Sequence, residues 1–61
     1  MAGQFEIFKD VGGQYRFRLK GRTGEIVATG ESYPTKAAAK KGVQAVQRAA
    51  NEAKVVDLTQ G

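Results

Sequence analysis

Tyr15-Arg16-Phe17-Arg18-Leu19-Lys20, followed by Gly21-Arg22-Thr23-Gly24 and Glu25-Ile26-Val27-Ala28-Thr29, decides the fold of this chain. Apolar and basic residues alternate strictly over the first segment, which is the period of a strand with one buried face. Two glycines bracket the turn that follows, where a reversing backbone needs positive φ. Upstream, Phe5 to Lys9 reads as another short aromatic strand, broken by Asp10-Val11-Gly12-Gly13. Strands are therefore expected at about 4–9, 14–20 and 25–30.

Downstream, Pro34 ends extension, because it removes a backbone donor and biases Tyr33 away from helical angles. Thr35 is a suitable N-cap, its hydroxyl satisfying an amide left free in the first turn. A helix is expected over about 35–53, with Ala39, Val43, Val46 and Ala50 at i, i+4, i+7 and i+11 as an apolar stripe facing the sheet. Val55, Val56 and Leu58 then form a short apolar tail at 55–59 that docks or adds an edge strand. The fold class is α+β, a three-stranded antiparallel meander on one C-terminal helix within a single domain, 1–61.

Parity tests this arrangement, since directly opposed residues of an antiparallel pair face the same side. A four-residue second turn sets Lys20 opposite Glu25, Leu19 opposite Ile26, Arg18 opposite Val27 and Phe17 opposite Ala28. The first hairpin has two solutions. A five-residue loop with Lys9 opposite Tyr15 brings Phe5 and Ile7 inward; a four-residue loop brings Phe8 inward instead.

A chain of 61 residues buries only about 60% of the surface its unfolded form exposes, so an isolated copy is marginal. Domains of this size gain stability from disulfides, metals or partner subunits. With no Cys and no His, disulfides and the common zinc ligand sets are excluded, and self-association remains. The outer sheet face mixes aromatic residues with Arg, as protein contact surfaces do. A homodimer with Phe8, Arg16, Arg18 and Val27 in the contact is expected. The competing arrangement is a monomer in which Arg16 and Arg18 pair with Glu6 across the sheet.

The net charge is +4. Arg16, Arg18, Lys20 and Arg22 fall in an acid-free stretch, 14–24, and Lys36, Lys40, Lys41 and Arg48 in another, 35–48. Such patches attract phosphates or acidic partners. Lys36 and Lys40 sit in the first turns of the helix, where acids are usually preferred. This makes Thr35, Lys36 and Lys40 a candidate anion site, and Arg16, Arg18, Lys36, Lys40 and Lys41 candidate nucleic-acid contacts. In layout, a sheet with exposed Arg backed by a helix is similar to three-stranded DNA-binding domains, and the basic helix start to double-stranded RNA binders. A steep salt dependence would mark such binding.

Catalysis has little to work with. Without His or Cys a general base must be a carboxylate, Lys or Tyr, and no two acids are spaced as a shared site. The glycines match no phosphate-loop spacing. No cofactor or metal is expected. No segment approaches the roughly 20 apolar residues that span a bilayer, and the N-terminus lacks the pattern of a secretory signal. Together with the absence of Cys, this points to a cytoplasmic protein without a membrane partner.

At Gly13-Gln-Tyr-Arg-Phe-Arg-Leu-Lys20, Gly24-Glu-Ile-Val-Ala-Thr29 and Ser32-Tyr-Pro-Thr-Lys-Ala-Ala-Ala-Lys-Lys-Gly-Val43 the chain resembles the YegP-like family of small uncharacterised bacterial and archaeal proteins. The resemblance runs from about residue 4 to 59. It implies a strand-strand-strand-helix unit, present as two tandem copies in one chain or as a single copy that pairs with another chain. It brings no activity and no functional residues.

Overall fold

Asp10 closes the first hairpin. Its Oδ1 accepts from the amides of Gly12 and Gln14 at 2.9 and 3.0 Å, and its own amide donates to the Gln14 carbonyl at 2.8 Å. Gly13 takes a φ of 83°, which a side chain would strain. The computed structural model describes residues 3–59; the outermost two at each end of the chain lie outside the described residues. In it, β1 (Gln4–Lys9) pairs antiparallel with β2 (Tyr15–Lys20), with Lys9 opposite Tyr15, Ile7 opposite Phe17 and Phe5 opposite Leu19. Of the two hairpin solutions the five-residue loop is adopted. Phe5 and Ile7 therefore join Phe17 and Leu19 on the inner face, while Phe8 stands outside, opposite Arg16.

The second hairpin departs from the expected register. The turn closes one residue tighter than expected: Gly21 rather than Lys20 faces Glu25, donating to its carbonyl at 2.7 Å. In β3 (Ile26–Thr29), Lys20 accordingly lies opposite Ile26, and Leu19 lies opposite Ala28 with Val27 bulged between the two pairs. The tighter turn and the extra residue on β3 each shift the pairing by one, so from Ala28 onward the inward and outward faces are kept while every pair changes. Ala28 still faces inward, but beside Leu19 rather than Phe17, and Arg18 meets Thr29 instead of Val27. Phe17 is left opposite Gly30, whose amide donates to the Phe17 carbonyl at 2.9 Å. A β-carbon on Gly30 would lie 2.2 Å from the Phe17 ring; only glycine lets the chain cross that ring.

The sheet order is β1-β2-β3. Beyond Gly30 the chain keeps alongside β2: Tyr15 and Tyr33 exchange backbone hydrogen bonds at 2.8 and 2.7 Å. This places the Tyr33 ring parallel to Phe17, with centroids 6.3 Å apart, while Phe5 meets Phe17 edge-on at 6.0 Å. Thr35 then caps α1 (Lys36–Glu52), its Oγ1 accepting from the Ala38 amide at 3.1 Å. The expected helix limits, 35–53, are thus the two cap residues.

The core is very small. Among the described residues only Phe17, 4% exposed, and Ala39, 0% exposed, are buried. Ala39 provides the close helix approach and Gly42 extends it, since a β-carbon there would meet the Tyr33 hydroxyl at 2.3 Å. Farther along α1 the expected stripe leaves the sheet: Val43 is half-buried, Val46 is 39% exposed and Ala50 is exposed. The helix packs on β1 and β2 and does not contact β3. The resulting body measures 44 × 24 × 20 Å with a radius of gyration of 13.5 Å. A compact chain of this length would have about 10.5 Å.

Candidate functional site

On the outer face, Glu6, Arg18 and Lys20 form one charge cluster. Arg18 Nε donates to Glu6 Oε1 at 2.8 Å and Lys20 Nζ lies 3.6 Å from the same oxygen. The Arg18 guanidinium also sits 4.8 Å above the Phe8 ring, a favourable cation-π placement. Arg18 is therefore spent on Glu6 and Phe8 at once. Arg16 has no ion pair among the described residues. Of the two arginines expected to pair with Glu6 in a monomer, Arg18 does so, and Lys20 takes the second place.

The bond from Arg18, then that from Gln4, holds the Glu6 carboxyl below its ordinary value of 4.5. A depressed folded value means that the ionised form supports the fold above about pH 4.5, and that this support is lost as the pH falls through the folded value. Glu6→Gln is thus expected to flatten the loss of thermal stability between about pH 5 and 3, read from melting midpoints across that range. Some slope remains, because Glu25, bonded by Thr23, is held low as well. An unchanged slope would contradict the assignment.

The helix start carries Lys36, Lys40 and Lys41, all exposed and without ion pairs among the described residues. The Thr35 hydroxyl is occupied by the Ala38 amide. These lysines belong to the helix on the inner side of the sheet, whereas Arg16 and Arg18 project from the outer side. The five basic residues singled out from the sequence therefore form two separate patches.

An uncovered apolar feature lies elsewhere. Because α1 covers β1 and β2 only, an open trough of about 330 Å³ remains between β3 and the second half of the helix. Phe5, Phe17, Leu19 and Ala28 form its floor, Val46 its helical wall, and Glu31 stands at its rim. On the free edge strand, Ile26, which shares the outer face with Lys20, and the bulged Val27 are more than half exposed. The tail after Ala53 adds Val55, Val56 and Leu58 at 97, 66 and 90% exposure. The trough escaped sequence reading because the apolar stripe of α1 gives no sign of where along its length the sheet ends. Among the described residues no group of three or more metal-ligating side chains gathers, and no helix is long and apolar enough to cross a membrane.

A family model described as a domain of unknown function (DUF1508) matches residues 10–57. The chain belongs to the DUF1508 family. A UPF0339 protein of Treponema denticola is 47% identical over 58 residues, which cover 95% of this chain and all of that one. The UPF0339 protein YegP of Escherichia coli is 47% identical over 47 residues, covering 77% of this chain but only 43% of its own length. The YegP-like resemblance is thus a family membership, and DUF1508 units occur both in chains of this size and in chains of about twice the length. The NMR solution structure of a protein from Haloferax volcanii superposes with a TM-score of 0.79 at 40% identity, covering 92% of this chain and 95% of that one. The DUF1508 family is uncharacterised, and nothing in it points to catalysis.

Proposed function

We propose that this chain is a self-pairing structural or interaction module, a cytoplasmic homodimer without catalytic activity of its own. The observation that carries the reading is the open apolar trough beside β3, bordered by Val46; Ile26, Val27 and the tail add further exposed apolar side chains. Exposed apolar surface of this kind on so small a body is where a partner is expected, and a second copy supplies the same surface in return. Relatives about twice as long, matched over 43% of their length, support a second unit alongside the first. Of the residues expected in the contact, Val27 stands more than half exposed at the β3 bulge, outside the trough lining. Phe8, Arg16 and Arg18 lie on the opposite face, where Phe8 and Arg18 already satisfy each other. The absence of Cys supports the compartment.

If folding and pairing are coupled, the melting temperature depends on concentration. It is expected to fall by about 5 °C for each tenfold dilution of a dimer of this size. A midpoint independent of concentration would contradict pairing.

A second reading, binding of nucleic acid or another anion by Arg16, Arg18, Lys36, Lys40 and Lys41, draws support from the unpaired lysines at the helix start. Its weakness is the placement of the two patches on opposite sides of the sheet.

A further inference from the structure

We infer that the outward face of α1 is a docking surface for double-stranded DNA, with the helix lying in the major groove. This goes beyond self-pairing, because no side chain that makes the surface lines the trough, and it narrows the anion reading to one side of the molecule.

The helix carries no acid from Lys36 to Asn51; Glu52 is its last residue. Over that length its cations are Lys36, Lys40, Lys41 and Arg48, and its amides are Gln44, Gln47 and Asn51. At about 3.6 residues per turn all of these fall within an arc of about 140°, and all are exposed. The rest of the circumference holds only Ala, Gly and Val, with Ala39 buried.

Helix propensity does not account for this composition. Glu forms helix about as well as Lys or Gln, and an acid would stabilise several of these positions. In the first turn it would meet the partial positive charge of the helix start. Four residues ahead of Arg48, where Gln44 stands, it would form an i, i+4 ion pair. Instead, Lys36 and Lys40 repel each other one turn apart. None of the four cations has an ion pair among the described residues, whereas Arg18 and Lys20 on the sheet share Glu6. Local preference is overridden along the whole exposed face, as it is where a surface serves a function.

The chemistry of the face selects its occupant. Four uncompensated cations suit a polyanion whose counterions they displace. Gln44, Gln47, Arg48 and Asn51 line one shallow polar depression, and Gln, Asn and Arg are the side chains that bond base edges in pairs of hydrogen bonds. The major groove of B-form DNA, about 12 Å wide, admits a helix of about 10–12 Å diameter; the deep, narrow major groove of an RNA duplex does not. A membrane surface fits poorly, because the arc carries no large apolar side chain to enter it.

Fluorescence anisotropy of a labelled, mixed-sequence DNA duplex of about 20 base pairs, two helical turns, titrated with the full chain, tests the assignment. Binding is expected with a log–log salt slope of about −3.6 per bound chain, four phosphate contacts at about −0.9 each, and about tenfold or more tighter than to the RNA duplex of the same sequence. Gln44→Glu is expected to lose about tenfold or more in affinity while its melting midpoint holds or rises, because the new carboxylate pairs with Lys40 and Arg48 along the helix. Arg16→Gln, on the outer side of the sheet, should bind as the parent does. A loss with Arg16→Gln as large as that with Gln44→Glu would overturn the placement on the helix, and equal or tighter binding of the RNA duplex would overturn the placement in the groove. A folded parent that does not bind the DNA duplex at low salt would overturn the surface altogether and leave the homodimer reading untouched.

Discussion

Phe17→Ala is expected to unfold the protein at room temperature, seen as loss of helical and sheet circular dichroism and of dispersed amide resonances. Phe17 is the only large side chain buried among the described residues. Phe5, Tyr33 and the backbone at Gly30 all pack on its ring. Truncating a buried Phe to Ala costs about 3–5 kcal/mol. A single core of this size supplies rarely more than about 3–5 kcal/mol in total, so the loss is comparable to the whole. The control is Phe8→Ala. That ring lies on the outer face, and its contact with Arg18 contributes about 0.5–1 kcal/mol at an exposed position. A folded Phe17→Ala chain together with an unfolded Phe8→Ala chain would mean that the parity of β2 is reversed.

Val46→Asp is expected to weaken pairing by roughly 100-fold or more while leaving the secondary structure in place. In a single copy Val46 is 39% exposed, and a carboxylate there keeps most of its water. In a symmetric pair the same residue is covered on both subunits. A buried carboxylate without a partner costs about 3 kcal/mol or more, and about 2.7 kcal/mol is already a hundredfold in dissociation constant. Sedimentation of the variant beside Val11→Asp, a charge placed on the fully exposed tip of the first hairpin, separates a local effect from one of net charge. Equal affinity for both variants would place the contact away from the trough.

Much of this architecture is legible in the residues, and its exceptions have physical causes. The alternation of Tyr15 to Lys20 specified both faces of β2, and the Asp10 side chain chose between the two possible first hairpins by bonding the amides of Gly12 and Gln14. The register of β3 was not legible. The turn tightens by one residue and a bulge at Val27 shifts each subsequent pair once more, and neither Ile26 nor Val27 differs chemically from an ordinary strand residue. Helix and cap were plain from Thr35 onward. Where the sheet stops beneath the helix was not, because that depends on how α1 crosses β1 and β2. Arg16, Phe8 and Arg18 drew attention as an unsatisfied surface; side-chain packing resolves two of them against each other, with Arg18 held between Glu6 and the Phe8 ring. The larger apolar deficit sits on the other side of the sheet, where α1 leaves the floor beside β3 uncovered.

The most direct measurement is sedimentation equilibrium of the unmodified chain from nanomolar to high micromolar concentration at near-neutral pH. The expected result is a species of twice the 6.5 kDa chain mass that gives way to single chains only on dilution. A mass of one chain at every concentration, with the fold intact, would contradict the account.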